Sequence, residues 1–290
     1  MSKNAISPVL VNVAGVALGL FLTAYVVRDT FSASTLPPCS ASYPEATEFT
    51  LNSSDRVPLS TIELQARAGA NEWGVLENAQ VTAMDGAPSP LVLKVNLPKG
   101  STSMYQTEMK PGGMSFRWQP KGMEGATSAC LSYGLFVPAE FDFGDGGELP
   151  GVFGGKGYEP LVQADGENGF ASRLKWANDG KGELGLQAPY ETNGRFSYSI
   201  PGLDFTIPRE RWVTIEQETV LNTPGEANGI ARIWIDGVLK IEQTEVVWRA
   251  SDGLTLKGVV NDVWYGGLDS TSNAPADTFL ALTPAAIRWK

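Results

Sequence analysis

The chain has 290 residues, with 32 acidic and 22 basic side chains, two cysteines and no histidine. That length suits one larger domain with an appendage, and 42% hydrophobic residues suffice for a packed core. A formal charge of −10 argues against a nucleic-acid partner, and the lack of histidine excludes Ser-His-Asp triads, Cys-His dyads and histidine-ligated zinc.

The first predicted element is an apolar run over residues 6–27, bounded by Lys3 before it and by Arg28 and Asp29 after it. About 20 apolar residues cross a bilayer as a helix, whereas the apolar part of a cleavable signal is about 7–15. Residues 1–28 therefore read as an uncleaved transmembrane α-helix, which makes the membrane one partner. Lys3 and the amino terminus favour a cytoplasmic N-terminus, which would put the main domain in the periplasm or outside the cell. Gly15 and Gly19 form a small-residue face that lets helices approach closely. That face points to a homo-oligomer or a larger membrane complex.

Residues 29–60 read as an extracytoplasmic stalk, with Pro37-Pro38, Pro44 and many Ser and Thr but no helical periodicity. Cys39 lies in this stretch and Cys130 in the main domain. Outside the cytoplasm the two could form a disulfide that staples the stalk to the domain, and two buried free thiols fit the sequence nearly as well.

Residues 61–290 read as one strand-rich domain with no helical stripe. Short alternating runs lie between Gly, Pro, Asn and Asp. Leu91–Leu97 is a strand ended by Pro98-Lys99-Gly100, and Ala129–Val137 is another, ended by Pro138. Phe170–Trp176 stops at Asn178-Asp179-Gly180, and Trp212–Leu221 stops at Asn222-Thr223-Pro224-Gly225. Ala231–Ile235, Asp236-Gly237 and Val238–Ile241 make a hairpin. The predicted class is all-β: an antiparallel jelly roll or sandwich preceded by the membrane helix.

Several of these segments resemble the alginate and glucuronan lyase-like jelly rolls, polysaccharide lyase family 14 and its relatives. The likeness runs through Leu91–Ser101, Leu131–Pro138, Phe141-Asp142-Phe143, Gly146-Gly147 and Leu149–Gly155. It continues through Gly169–Trp176, Asp179-Gly180, Trp212–Ile215, Leu221–Gly225, Gly229, Ile233–Gly237 and Tyr265-Gly266-Gly267, and so covers residues 73–290. It implies a curved jelly roll whose concave face holds an acidic polysaccharide.

Such lyases work by β-elimination. A cation or amide neutralises the uronate carboxylate, a base removes the neighbouring proton, and an acid protonates the leaving oxygen. The resemblance implies a lysine where this chain has Glu148, a serine where it has Ala171 and an arginine where it has Ala177. Tyrosines are expected around Gly185 and Gln187. The arginine of the next strand is matched by Arg173. On a strand Ala171, Arg173, Lys175 and Ala177 share one face. Arg173, Lys175, Trp176 and Tyr265 are thus the candidate glycan contacts, and Arg173, Lys175 and Tyr265 the candidate catalytic groups if elimination survives. Each has a structural alternative: Arg173 and Lys175 as ion pairs, the aromatics as core. Tyr133 alternates with Leu131 and Leu135 and reads as core. Asp142, Asp145 and Asp179–Glu183 lack calcium-loop spacing and read as turns, so no metal and no cofactor is expected. Two functions remain open: a non-catalytic module that binds an acidic glycan or serves as an accessory subunit, and an active lyase with a rearranged site.

Overall fold

Strands form where apolar and polar residues alternate between turn-forming residues, and those strands stack into two sheets. The computed structural model describes residues 36–69, 71–106, 108–155, 162–189, 197–267 and 272–290. The predicted helix over residues 6–27, with Gly15 and Gly19, lies outside the described residues. Among the described residues no helix is long and apolar enough to cross a membrane.

The first sheet runs, edge to edge, through Val238–Val246, Gly229–Ile235, Trp212–Val220, Ser128–Phe136, Thr278–Leu282, Val92–Leu97 and Ala79–Thr82. The second runs through Tyr198–Thr206, Lys181–Gln187, Gly169–Trp176, Gly147–Gly155, Leu256–Val260 and Arg117–Trp118. Neighbours along both sheets are antiparallel. The predicted strands reappear with ends shifted by a residue or two, except that the one predicted to end at Ile241 runs on to Val246. The hairpin turns at Asp236 and Gly237, whose φ values of 49° and 76° match the twist of flanking strands.

The core lies between the sheets. Leu131, Tyr133 and Leu135 of the first sheet share one buried cluster with Phe170, Leu174, Trp176, Leu184 and Leu186 of the second. Tyr133 belongs to it, as its alternation predicts, and donates its hydroxyl to Pro150 O at 3.3 Å.

Two differences from the sequence reading stand out. A helix, Thr61–Ala68, occurs where none is expected. Its start is a capping box: Ser60 Oγ accepts from the Glu63 backbone N–H while the Glu63 carboxylate accepts from Ser60 N. The Ser-x-x-Glu spacing is the local signal, and at eight residues the helix is too short to show a clear stripe. The second difference is the stalk. The packed unit spans Pro38–Lys290, and Cys39, Phe49, Leu51 and Leu59 are buried in it. Scattered apolar residues in an irregular segment carry no periodicity, which is why residues 38–60 look like a linker.

Of the two readings of the cysteines, the disulfide is present. Cys39 and Cys130 are bonded, with Cα atoms 5.7 Å apart and a sequence separation of 91. Trp234 packs beside the bridge. Glu216 receives both Ser40 N, at 2.9 Å, and Ser40 Oγ, at 3.0 Å, so the segment after Cys39 is held by hydrogen bonds as well.

Candidate functional site

Alternation along Gly169–Trp176 sends Phe170, Leu174 and Trp176 into the core and leaves Ala171, Arg173 and Lys175 on the opposite face. Strand register then chooses their neighbours. Lys175 stands opposite Glu148 and Glu183, Arg173 opposite Gly151 and Gly185, and Ala171 opposite Phe153 and Gln187. The two glycines matter because they lack Cβ. A Cβ at Gly151 would lie 2.2 Å from Ser172 O and 2.4 Å from Arg173 Cβ. One at Gly185 would lie 2.4 Å from Lys175 Cδ. Arg173 and Lys175 therefore lie across a floor that only glycine leaves open.

The cations are consumed where they stand. Arg173 Nη1 donates to Asp262 Oδ2 and sits 3.6 Å from Glu148 Oε2. Lys175 Nζ sits 3.3 Å from Glu148 Oε1. Ser115 Oγ donates to Asp262 Oδ1 at 2.6 Å, which closes the chain at its far end. Arg173 is 4% exposed, Glu148 2% and Asp262 0%. Two positive and two negative groups thus form a paired row, buried except at the half-buried Lys175. Burial pushes the Asp262 carboxyl up to about 6, against the opposing pull of Arg173. The space between Glu148, Arg173, Lys175, Gly185 and Gln187 is about 10 Å³. That is on the order of one water and far short of a sugar ring.

The remaining candidates separate. Trp176 is 2% exposed and donates Nε1–H to Phe143 O at 3.0 Å. Tyr265 is 1% exposed, stacks on Phe141 at 5.5 Å and donates its hydroxyl to Asp142 O. Both are candidate glycan contacts with core as the alternative reading, and both side chains pack in the core. Trp176 is adjacent in sequence to Lys175 and must point the other way. The Tyr265 hydroxyl is held above its ordinary value, by burial first and by Asp142 second. Ala177 lies past the strand end, where its N–H donates to Lys181 O at 2.8 Å, so it shares no wall with Arg173. Gln187 donates Nε2–H to Val162 O at 2.8 Å. Glu148 does face Arg173 and Lys175, as the motif alignment implies.

Sequence reasoning missed Asp262 and Ser115, which complete the row, and Tyr105, whose ring joins Phe153, Ala171 and Val260 in a small cluster on this face. Tyr105 feels the charges of Asp262 and Arg173, and burial raises its hydroxyl well above the ordinary value. No motif or periodicity marks these positions, because each reaches the site from a separate segment.

The sequence model of the family described as polysaccharide lyase 14 matches residues 86–282. The exolysin of Paramecium bursaria Chlorella virus 1 is 25% identical over 221 residues, which take in 64% of this chain and 32% of the exolysin. The chain thus spans about a third of that relative's length. Among solved structures, the marine PL-14 alginate lyase from Aplysia kurodai superposes with a TM-score of 0.69 at 23% identity. That superposition covers 85% of this chain and 100% of the other. Alginate lyase vAL-1 from Chlorella virus gives 0.62 at 22% identity, covering 73% and 89%. A variant of alginate lyase Aly36B in complex with alginate tetrasaccharide gives 0.63 at 20% identity, covering 85% and 97%. At these identities the superpositions speak for the fold.

Proposed function

The chain belongs to the polysaccharide lyase 14 family, and from that premise we propose that it is a non-eliminating member, a module that holds an acidic glycan without cleaving it. One observation carries the reading. The cations at the site are paired with buried carboxylates, Arg173 with Asp262 and Glu148, Lys175 with Glu148. β-Elimination needs positive charge at the sugar carboxylate, because that charge stabilises the anion formed when the adjacent proton leaves. Glu148 supplies negative charge instead, and the roughly 10 Å³ gap gives a sugar no seat beside Arg173. Tyr265, the candidate proton carrier, is committed to Asp142 in the core. The neighbour captured with alginate tetrasaccharide supports an acidic polysaccharide as the ligand class.

The apolar run over residues 6–27 completes the proposal: a single-pass anchor with the lyase-like domain outside the cytoplasm. The Cys39–Cys130 disulfide fits an oxidising compartment. Gly15 and Gly19 would pack the anchors of neighbouring copies or partners.

The test is incubation of the detergent-purified full chain with alginate and polyglucuronate. Ultraviolet absorbance reports the carbon–carbon double bond that elimination leaves in the sugar ring, and co-sedimentation with insoluble polymer reports binding. Flat absorbance with retained binding is expected. Rising absorbance that is lost in Arg173→Ala would overturn the proposal and restore the active-lyase reading.

A further inference from the structure

Asn52-Ser53-Ser54 is the only Asn-x-Ser or Asn-x-Thr triplet in the chain, and its middle residue is not proline. Resting on the reading of the domain as extracytoplasmic, we propose that Asn52 is an N-glycosylation site, modified in a eukaryotic secretory pathway. The donor class is an oligosaccharide carried on a polyprenyl diphosphate, and a membrane oligosaccharyltransferase makes the transfer. The Asn52 Nδ2 atom forms a bond to C1 of the first sugar, the bond from C1 to the diphosphate oxygen breaks, and the amide proton leaves with the released polyprenyl diphosphate.

The fold places this triplet at the mouth of a small hairpin. Leu59 N donates to Leu51 O at 3.0 Å, Ser53 N to Val57 O at 2.9 Å, and Arg56 N to Ser53 O at 3.0 Å. Asn52 and Pro58 form the antiparallel bridge between these contacts. Arg56 turns the chain with φ 62°. Leu51 and Leu59 are both buried in the core. Side chains alternate along an extended segment, so the two leucines that point inward send the Asn52 side chain outward. Ser54, two residues on, is exposed, and its hydroxyl is the second group that defines an acceptor.

The folded domain has room for the product. The Asn52 backbone is pinned, because its carbonyl accepts from Arg67 Nη1 at 3.1 Å, and the same nitrogen donates to Thr50 O at 2.6 Å and to Thr50 Oγ1 at 2.7 Å. Its half-exposed side-chain amide makes no hydrogen bond among the described residues, so a linked sugar displaces nothing that holds the fold. Val57 is 58% exposed on the facing arm, an apolar surface on which the first sugar of the glycan can lie. The compartment agrees as well. Cys39, in the same lead-in segment, is bonded to Cys130, and disulfides form and persist on the lumenal and extracellular side where this modification is made.

The experiment expresses the full chain in cultured eukaryotic cells and reads its gel mobility before and after peptide:N-glycosidase. Mass spectrometry follows on the tryptic peptide over residues 29–56. One enzyme-sensitive shift is expected, with glycan removal leaving an aspartate at position 52. Asn52→Gln and Ser54→Ala should each lose the shift, and the exposed Ser54 makes its variant the safer one for folding, checked by thermal melting. Gly125→Asn supplies an internal control, since it completes a second triplet with Ala126 and Thr127. Gly125 is exposed at φ 83°, a Cβ there meets nothing within 4 Å, and asparagine tolerates that backbone region. This variant should carry two glycans. A glycan on Gly125→Asn alone, with none on the unaltered chain, would reject Asn52 and leave the extracytoplasmic domain standing. No glycan on either chain would reject both. A shift that persists in Asn52→Gln and Ser54→Ala would also reject the assignment.

Discussion

Arg173→Met is the sharpest perturbation, because the two readings of Arg173 give opposite results. Methionine keeps much of the length and volume and removes the charge. Asp262, fully buried, then loses its cationic partner and retains only Ser115, while Glu148 keeps Lys175. Breaking a buried ion pair from one side costs about 3–5 kcal/mol, because the remaining charge stays desolvated. For a packed unit of about 250 residues each kcal/mol moves Tm by roughly 2–4 °C, so the drop should be about 6–20 °C. Differential scanning calorimetry of the full chain reads this directly. Adding Asp262→Asn removes the orphaned carboxylate. The double variant should recover well over a third of the loss, giving a coupling of about 1–3 kcal/mol between the two sites. A functional arginine held for a ligand would behave differently, since its removal typically leaves stability unchanged or raised. A drop under about 2 °C, or a double variant no better than the single one, would refute the structural clamp and with it the argument that the site is internally neutralised.

The other expectations concern the same framework. Asp262 has a folded pKa of about 6 against an ordinary 3.8, so the native state holds its proton more tightly than the unfolded chain. The associated stability is present below about pH 4 and is lost as pH rises through about 6, an effect of order 3 kcal/mol. Urea unfolding between pH 4 and 7 should show that slope flattened in Asp262→Asn, and superimposable profiles would reject the assignment. Removing the disulfide by Cys39→Ser with Cys130→Ser frees a 91-residue loop in the unfolded chain. The loop-entropy relation gives about 4–5 kcal/mol, and an unchanged urea midpoint would show that the bridge constrains neither state. Gly151→Ala should be far more damaging than Gly185→Ala. The first Cβ meets the Ser172 carbonyl at 2.2 Å, whereas the second meets the movable Lys175 chain at 2.4 Å. Equal melting temperatures for the two variants would contradict this geometry.

The outward face of Gly169–Trp176 was legible from alternation alone, which placed Arg173 beside Lys175. The strands, the Asp236-Gly237 hairpin and the all-β class followed from the same short-range signals, since the pleat repeats every second residue and turn residues punctuate it. The capping box at Ser60 and Glu63 was equally local, although no helical stripe accompanied it. Trp176 and Tyr265 show the limit, because an aromatic side chain in a strand fits either a core or a binding face, and the packing of Phe141 decided for the core.

What the sequence by itself determined was which residues lie side by side along one strand, and the glycine framework that keeps the strands close. What only the tertiary structure decided was the company those residues keep. Asp262 reaches Arg173 across 89 residues, and Ser115 reaches Asp262 across 147. Trp73 joins Ser115 through a backbone bridge between separate segments. Periodicity reports a neighbour one or two residues away, whereas strand register and loop closure determine which distant carboxylate neutralises a cation. In this chain that distant choice pairs Arg173 with Asp262 and Glu148, and Lys175 with Glu148.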